Sequence, residues 1–424
     1  MSTSTDSTDR TLRRHIGVGH GVALYVSAIL GAGVLVLPGQ AATIAGPASL
    51  VSWAFACAMG VPLAVMFAAL ARRFPDAGGV STYVHHGLGP LPGGVCGWMF
   101  FVAGSVGQTI VPLTGGYYVA QTAGLANGWA FPVALAILVV ATVSNVLGMK
   151  VSGRVQMTLA TSVAVALMVT IVVAVPDMDL GRLEPFAPHG LPAVGAASIV
   201  LFFAFAGWET IAHLAEEFTD PQRDLPRAVA ITVGIITVLY LGIAAAVVLT
   251  GTYGTPGIDH VSLGLILQQA FGPGASAVAA CVAVLISLAT TTAFISGVSR
   301  LAYSLAREGW LPAPIGGLDD RGVPRAGVFA VVAIALAGLV VSAALGWGTE
   351  ELITIPSTLV VAVYGLTAIA GARLLHGTGR AAASCAIVLT IVVAPSALQH
   401  LLIPASVTLV ALTSRWTLRR RTKR

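Results

Sequence analysis

Charge is what this chain has least of. Only 9% of its 424 residues are Asp, Glu, Lys or Arg, against about 25% in soluble domains. With 56% hydrophobic residues and a mean hydropathy of +0.90, that deficit excludes a soluble domain and points to an all-α polytopic membrane protein. Cysteine is scarce too. Cys57, Cys96, Cys281 and Cys385 stand singly in apolar stretches with no CxxC spacing, which reads as small buried hydrophobes and not as a disulfide framework or a zinc site. HExxH and GxSxG are both missing, so no enzyme is expected, and no cofactor or metal ion. The pI of about 9.2 does not indicate nucleic acid, because the basic residues sit beside apolar stretches. Residues 1–12 are polar and rich in Ser and Thr with no cleavage site after them; disorder is expected over 1–15.

What the chain has is long apolar runs. A spanning helix needs about 20 apolar residues. Twelve spans are expected, near 18–45, 47–71, 93–124, 130–148, 155–175, 193–218, 227–250, 274–306, 327–346, 352–373, 381–396 and 398–415, with the last two divided at Pro395. Placing the N-terminus in the cytoplasm puts all but one of the 22 Lys and Arg on the inner side; Arg182 is the exception. The opposite connectors carry Asp177, Asp179, Glu184, Asp259, Glu350 and Glu351. This is the positive-inside pattern, and it places both termini in the cytoplasm; the expected location is a bacterial-type inner membrane. Spans 1–5 (residues 16–175) and spans 6–10 (190–375) each start with an interrupted helix. Five is odd, so the two sets run in opposite directions through the bilayer, as inverted repeats do. Residues 380–416 hold the last two spans and 417–424 a basic cytoplasmic tail.

The first interruption is Ile29-Leu30-Gly31-Ala32-Gly33 and the second Phe203-Ala204-Phe205-Ala206-Gly207. Glycine disfavours helix by about 1 kcal/mol relative to alanine, and unpaired amides in hydrocarbon cost several kcal/mol, so a break survives where it lines a cavity or binds something. A half-helix starting near Gly33 presents free N–H groups and a positive dipole end to a carboxylate. A GxxxG-like packing face is the other reading of the first run. Carbonyls released at 27–30 and 204–207 are acceptors for an ammonium group. Together they match an α-amino acid, with Ile29, Gly31, Ala32, Gly33, Ala206 and Gly207 as candidate binding residues. Among the aromatics of the second break, Phe203 is the expected lid. Gln108, deep in span 3, contacts substrate or bonds a neighbouring helix. Tyr25 and Ser27 precede the first break, where each faces the pocket or packs.

Glu209 lies near mid-membrane, where a carboxylate costs about 2.5–3.5 kcal/mol on insertion scales and marks function by default. It is the candidate for carrying a proton across. A fixed structural hydrogen bond is the alternative. His213, four residues on, shares its helical face, and a path toward Glu216 and Glu217 is conceivable; a helix-end histidine is the simpler reading. In span 8, Ser287, Thr290 and Thr291 are candidate hydroxyl ligands for sodium, although hydroxyls in membrane helices commonly bond their own backbone.

These residues resemble the amino acid–polyamine–organocation transporter superfamily. The resemblance is carried by Ile29 to Pro38, by Phe205-Ala206-Gly207-Trp208-Glu209 with Glu216 to Pro221 and Pro226-Arg227-Ala228, by Phe74 to Gly79 with Tyr83, by Asn145 to Gly148 with Gly153, and by Arg300 to Tyr303 with Gly309 to Pro312. It implies a leucine-transporter fold, alternating access, a substrate held at the two breaks and a gating or proton-responsive role at Glu209. The overall look is closest to bacterial methionine and branched-chain amino acid exporters. Residues 155–175 contain no lysine, so this chain departs from members that couple protons through a lysine there. The expected function is proton-linked export of neutral apolar amino acids by a monomer or homodimer. The alternatives are exchange of cationic amino acids or polyamines with Glu209 as counter-ion, sodium symport, and sensing without flux.

Overall fold

The computed structural model describes residues 17–422 apart from 32, 75–77, 149–152, 211–217 and 221. His213, Glu216, Glu217 and Ala32 therefore lie outside the described residues. The described chain is helical, with no strands. Its helices are α1 (Val18–Ile29), α2 (Gly33–Ala45), α3 (Ser49–Arg73), α4 (Val80–Leu88), α5 (Pro90–Thr122), α6 (Ala130–Val146), α7 (Gly153–Ala174) and α8 (Leu191–Leu201). They continue with α9 (Asp224–Thr250), α10 (Ser262–Phe271), α11 (Pro273–Arg307), α12 (Arg325–Leu345), α13 (Thr349–Leu374), α14 (Gly377–Ala397) and α15 (Leu402–Thr422).

Among the described residues, eight helical segments are long and apolar enough to cross a membrane. The remainder of the twelve expected spans fall short for physical reasons. The first and sixth are broken, α7 offers only a short apolar window, and α15 runs into the Arg-rich end of the chain. One expected division moves. Pro395 sits inside α14, and the chain turns at a 3-10 segment, Leu398–His400, just beyond it. A proline's lost hydrogen bond is tolerated when neighbouring groups adjust around it.

Side-chain contacts sort the helix ends onto two faces. On one, Arg73 donates to the Leu374 carbonyl, Arg321 Nη1 to the Leu147 carbonyl at 3.2 Å and Arg373 Nη1 to the Gly87 carbonyl at 3.4 Å. We call this the arginine-bearing face. On the other, Thr43 donates to Asp259 at 2.7 Å, His260 meets Glu350 at 2.8 Å, and the Ala48 amide bonds the Phe186 carbonyl. The sorting matches the charge pattern of the sequence.

At the centre of the packing is α5, which meets α11, α13, α6 and α12. Interhelical polar contacts stitch the bundle. Thr109 donates to the Ala335 carbonyl (3.0 Å), Ser52 to that of Val194 (2.8 Å), Ser357 to that of Val200 (3.2 Å) and Asn145 to that of Thr292 (3.1 Å). Such bonds are worth about 0.6 kcal/mol each in membranes. The outer surface carries Val139, Val140 and Val143 on α6, Val172 on α7, Val340 on α12 and Ile391 and Val392 on α14, all exposed. In water they would form patches far beyond what soluble monomers tolerate; in a bilayer they face acyl chains.

Candidate functional site

Both expected breaks are present. At the first, α1 ends at Ile29, Leu30 leaves the helical region (φ −73°, ψ 62°), and α2 starts at Gly33. The Gly31 amide turns back onto the Ile29 carbonyl at 2.7 Å, and the Val34 amide reaches the Gly31 carbonyl at 3.3 Å. The other amides of the α2 first turn have no acceptor within their own helix. At the second, α8 gives way to a 3-10 turn, Phe202–Phe205; Ala206 is extended; and a further 3-10 turn covers Trp208–Thr210. Gly207 has φ +135°, a conformation that side chains with a Cβ rarely adopt.

Buried tyrosines bind the freed carbonyls. The Tyr240 hydroxyl, from the middle of α9, lies 3.0 Å from the Ile29 carbonyl and 3.1 Å from that of Ala204, so one group touches both breaks. The Tyr364 hydroxyl, from α13, lies 3.1 Å from the Phe205 carbonyl and 2.6 Å from Glu209 Oε2. A tyrosine carries one proton, so each hydroxyl faces two acceptors with a single donor. The carbonyls expected to receive a ligand's ammonium thus already have partners, each keeping one lone pair.

Between the breaks lies a cavity of about 40 Å³, against the roughly 10–15 Å³ that one water needs. Ile29, Gly31 and Gly33 line it from the first break, and Phe203, Ala204 and Ala206 from the second. Gln108 of α5 adds a polar side chain. Its Nε2 donates to the Gly104 carbonyl at 3.0 Å, while its buried Oε1 has no hydrogen-bond partner. Phe203 is the aromatic of the second break that faces the cavity, seated between Gly33 and Gly107. Phe205 packs edge-on to Tyr240 (5.3 Å, 83°), and Phe202 and Trp208 are buried away from the cavity.

A second cavity, of about 100 Å³, lies closer to the arginine-bearing face. It is lined by Glu209, Gly78 and Gly79, and by Gly297, Val298 and Leu301 of α11. Phe100 of α5 and Phe294 of α11 line both cavities and form the partition between them. Glu209 opens on this second chamber and not on the first. Its Oε2 also accepts the Gly207 amide at 3.0 Å, so Gly207, expected to touch substrate, instead anchors the carboxylate.

The candidate sodium ligands do not converge. Thr290 packs against Gly31, and Ser287 faces Gly115 of α5. The hydroxyls of Ser287 and Thr291 are buried without a partner. None of the three lines the cavity between the breaks. Tyr25 does not line it either; it is buried and stacks on Phe218 with ring centroids 6.2 Å apart. Nothing is described for the side chain of Ser27.

On the face opposite the arginines, the roof of the site is polar. The His260 ring stacks on Tyr117 of α5 (3.9 Å, 10°) while its Nε2 meets Glu350 of α13. Gln40 of α2 donates to Thr349 at 2.8 Å. Asp259 accepts from Thr43 and, at 2.9 Å, from the Gly254 amide, and burial pushes its carboxyl up. These contacts tie α2, α5, α13 and the connector before α10 together above the cavity.

Two broken helices facing each other across a buried cavity define a leucine-transporter-like fold. A solved structure of MhsT in complex with L-phenylalanine shares the fold. Its TM-score is 0.65 at 16% identity, covering 91% of this chain and 100% of that one. The chain belongs to the amino acid permease family, whose model matches residues 20–403. It is 34% identical over 368 residues to the amino acid permease YecA of Bacillus subtilis (strain 168), covering 86% of each chain. It is 30% identical over 379 residues to the L-methionine/branched-chain amino acid exporter YjeH of Escherichia coli (strain K12), covering 87% of this chain and 88% of that one.

Proposed function

We propose that this permease exports neutral apolar amino acids (methionine, leucine, isoleucine and valine) by alternating access linked to the proton gradient, as a monomer or homodimer in the bacterial inner membrane with both termini cytoplasmic. The observation that carries the substrate class is the lining of the cavity between the breaks. Gln108 is its polar side chain and the rest is glycine, aliphatic and aromatic, which suits an uncharged side chain. The first-turn amides of α2 suit the carboxylate, and the spare lone pairs at Ile29 and Ala204 suit the ammonium group. The name of the Escherichia coli relative points the same way.

Glu209 supplies the proton link. When it is ionised, its Oε2 accepts a hydrogen bond from the Tyr364 hydroxyl. When it is protonated, its own O–H can turn to the Tyr364 oxygen, and the phenol then donates to the Phe205 carbonyl 3.1 Å away. A proton arriving from the lower chamber thereby changes a hydrogen bond on the backbone of the second break. Depth favours this reading over the exchange of cations, because a counter-ion for a cationic side chain belongs in the upper cavity and Glu209 opens on the lower one.

Counterflow in proteoliposomes with labelled amino acids, run across pH, tests both parts. Exchange of methionine or leucine, insensitive to sodium and accelerated by a pH gradient, is expected. Competition by arginine or putrescine but not by leucine or methionine overturns the substrate class, and a flux insensitive to pH overturns the coupling.

A further inference from the structure

The arginine-bearing face holds a built cation, Arg415, whose Nε and Nη1 have no hydrogen-bond partner. Arg415 lies near the end of α15, where that helix leaves its apolar stretch. Its guanidinium carbon sits 4.2 Å from the centroid of the Trp310 indole. The platform beneath it is rigid. Trp310 is 1% exposed, and its ring rests on the backbone of Gly94, where even a Cβ would come within 1.7 Å of it. Its carbonyl receives Trp98 Nε1 at 3.1 Å and Ser414 Oγ at 3.0 Å. The indole is thus fixed by α5 and α15 together, and it fixes the plane of the guanidinium.

Two of the three guanidinium nitrogens of Arg415 are not matched by the protein. Nε and Nη1 are buried and have no hydrogen-bond partner. A guanidinium N–H shielded from water and left without an acceptor is costly, and the planar fork of an arginine fits the oxygens of a phosphate bidentately. Arg419 adds a second positive charge beside it and Glu308 a single carboxylate, so the cluster keeps a net positive charge. One turn on, Arg420 lies over the exposed Trp416 ring at 3.5 Å, the aromatic and basic pairing of a membrane–water boundary. Towards the hydrocarbon, Leu402, Leu409 and Val410 of the same helix are exposed, a face on which an acyl chain can lie.

We propose that the Arg415–Trp310 platform binds the phosphate group of an anionic phospholipid at the arginine-bearing surface of the bilayer. A lipid fits better than a free anion because the platform stands directly beside an apolar helix face at the level where headgroups lie. The site is remote from both cavities, and its occupancy does not depend on what the permease carries.

The test uses the purified full chain, delipidated and returned to nanodiscs of phosphatidylcholine with phosphatidylglycerol as a minority component, with retained lipid counted by native mass spectrometry. The wild type is expected to hold phosphatidylglycerol about tenfold tighter than phosphatidylcholine, and Arg415→Gln to lose that preference. Arg415→Lys keeps the charge but not the planar fork and is expected to recover less than half of it, which carries the test should the Gln variant fold poorly. Arg300→Gln, which removes a cation bonded to Ser296 within its own helix, is expected to leave the preference intact. A wild-type preference in Arg415→Gln, or equal loss in Arg300→Gln, overturns the site. Displacement of the lipid by millimolar inorganic phosphate overturns the choice of a lipid over a free anion.

Discussion

The two breaks solve the same problem in different ways. The first is short and bare. Two α-helices meet across a few small residues, and no side chain there can titrate. The second is longer and crowded, a 3-10 turn, a glycine at φ +135° and another 3-10 turn, dressed with four aromatics and a carboxylate. The first exposes backbone so that a ligand can approach; the second surrounds its backbone with groups that move or change charge. The inverted repeat supplies two interruptions, and on the function proposed above their sequences divide recognition from response.

The largest way to break that division is to crowd the bare side. A Cβ at Gly33 would already press on Leu37 and Phe203 at 3.2–3.3 Å. Gly33→Val is expected to weaken amino acid binding by up to about 100-fold, from overpacking of ~1–3 kcal/mol, with the fold retained. Gly31 meets only Thr290 at ordinary contact distance, so Gly31→Val should act chiefly by filling the cavity. Calorimetry with methionine checks both.

Next in size is the responsive side. Glu209→Gln should cut proton-driven flux by about tenfold, below the ~100-fold at which general acid–base effects begin, and flatten its pH profile; a normal rate and profile in proteoliposomes removes the proton role. Tyr364→Phe sharpens the same point. It keeps the carboxylate but severs its link to the Phe205 carbonyl, so exchange should survive while the pH profile shifts.

A smaller effect is expected from Tyr240→Phe, which removes the hydroxyl shared by both breaks. The loss is about 1–3 kcal/mol of stability, the cost of a buried acceptor left unsatisfied, read by thermal unfolding in detergent. Last comes the roof. Burial raises the Asp259 carboxyl, so between its unfolded value, about 3.9, and its folded one the native state binds more protons than the unfolded chain. Stability from this group is full at low pH and is lost as pH rises through the folded value. Asp259→Asn should remove that decline, visible as a melting temperature that falls less as pH rises above about 4.

Much of this was legible in the residues. Gly31 and Gly33 marked the first break and Gly207 the second, and the helix ends follow the apolar runs closely; the segment expected over 227–250 is α9, Asp224–Thr250. Phe203 could be chosen over its neighbours because it lies four residues before Gly207. The tyrosines were not found, although they left a signal. Tyr240 and Tyr364 sit in the middle of apolar helices, and a buried phenol there must seek an acceptor. Which acceptor it finds depends on how α9 and α13 rotate against the breaks, a tertiary fact. Phe100 and Phe294 left no signal at all, since a phenylalanine in a membrane helix looks the same whether it faces lipid, another helix or a partition between chambers.

The shared hydroxyl of Tyr240 has a mechanical consequence. With one hydrogen and two near-equidistant oxygens, it has no strong favourite, so swapping allegiance costs little. Were the two interrupted helices to separate during a cycle, α9 would stay loyal to one and release the other, and either outcome forfeits a contact of the same kind. A pivot built that way tilts the balance between its end states by very little, which leaves whatever the carrier binds to decide which way it opens.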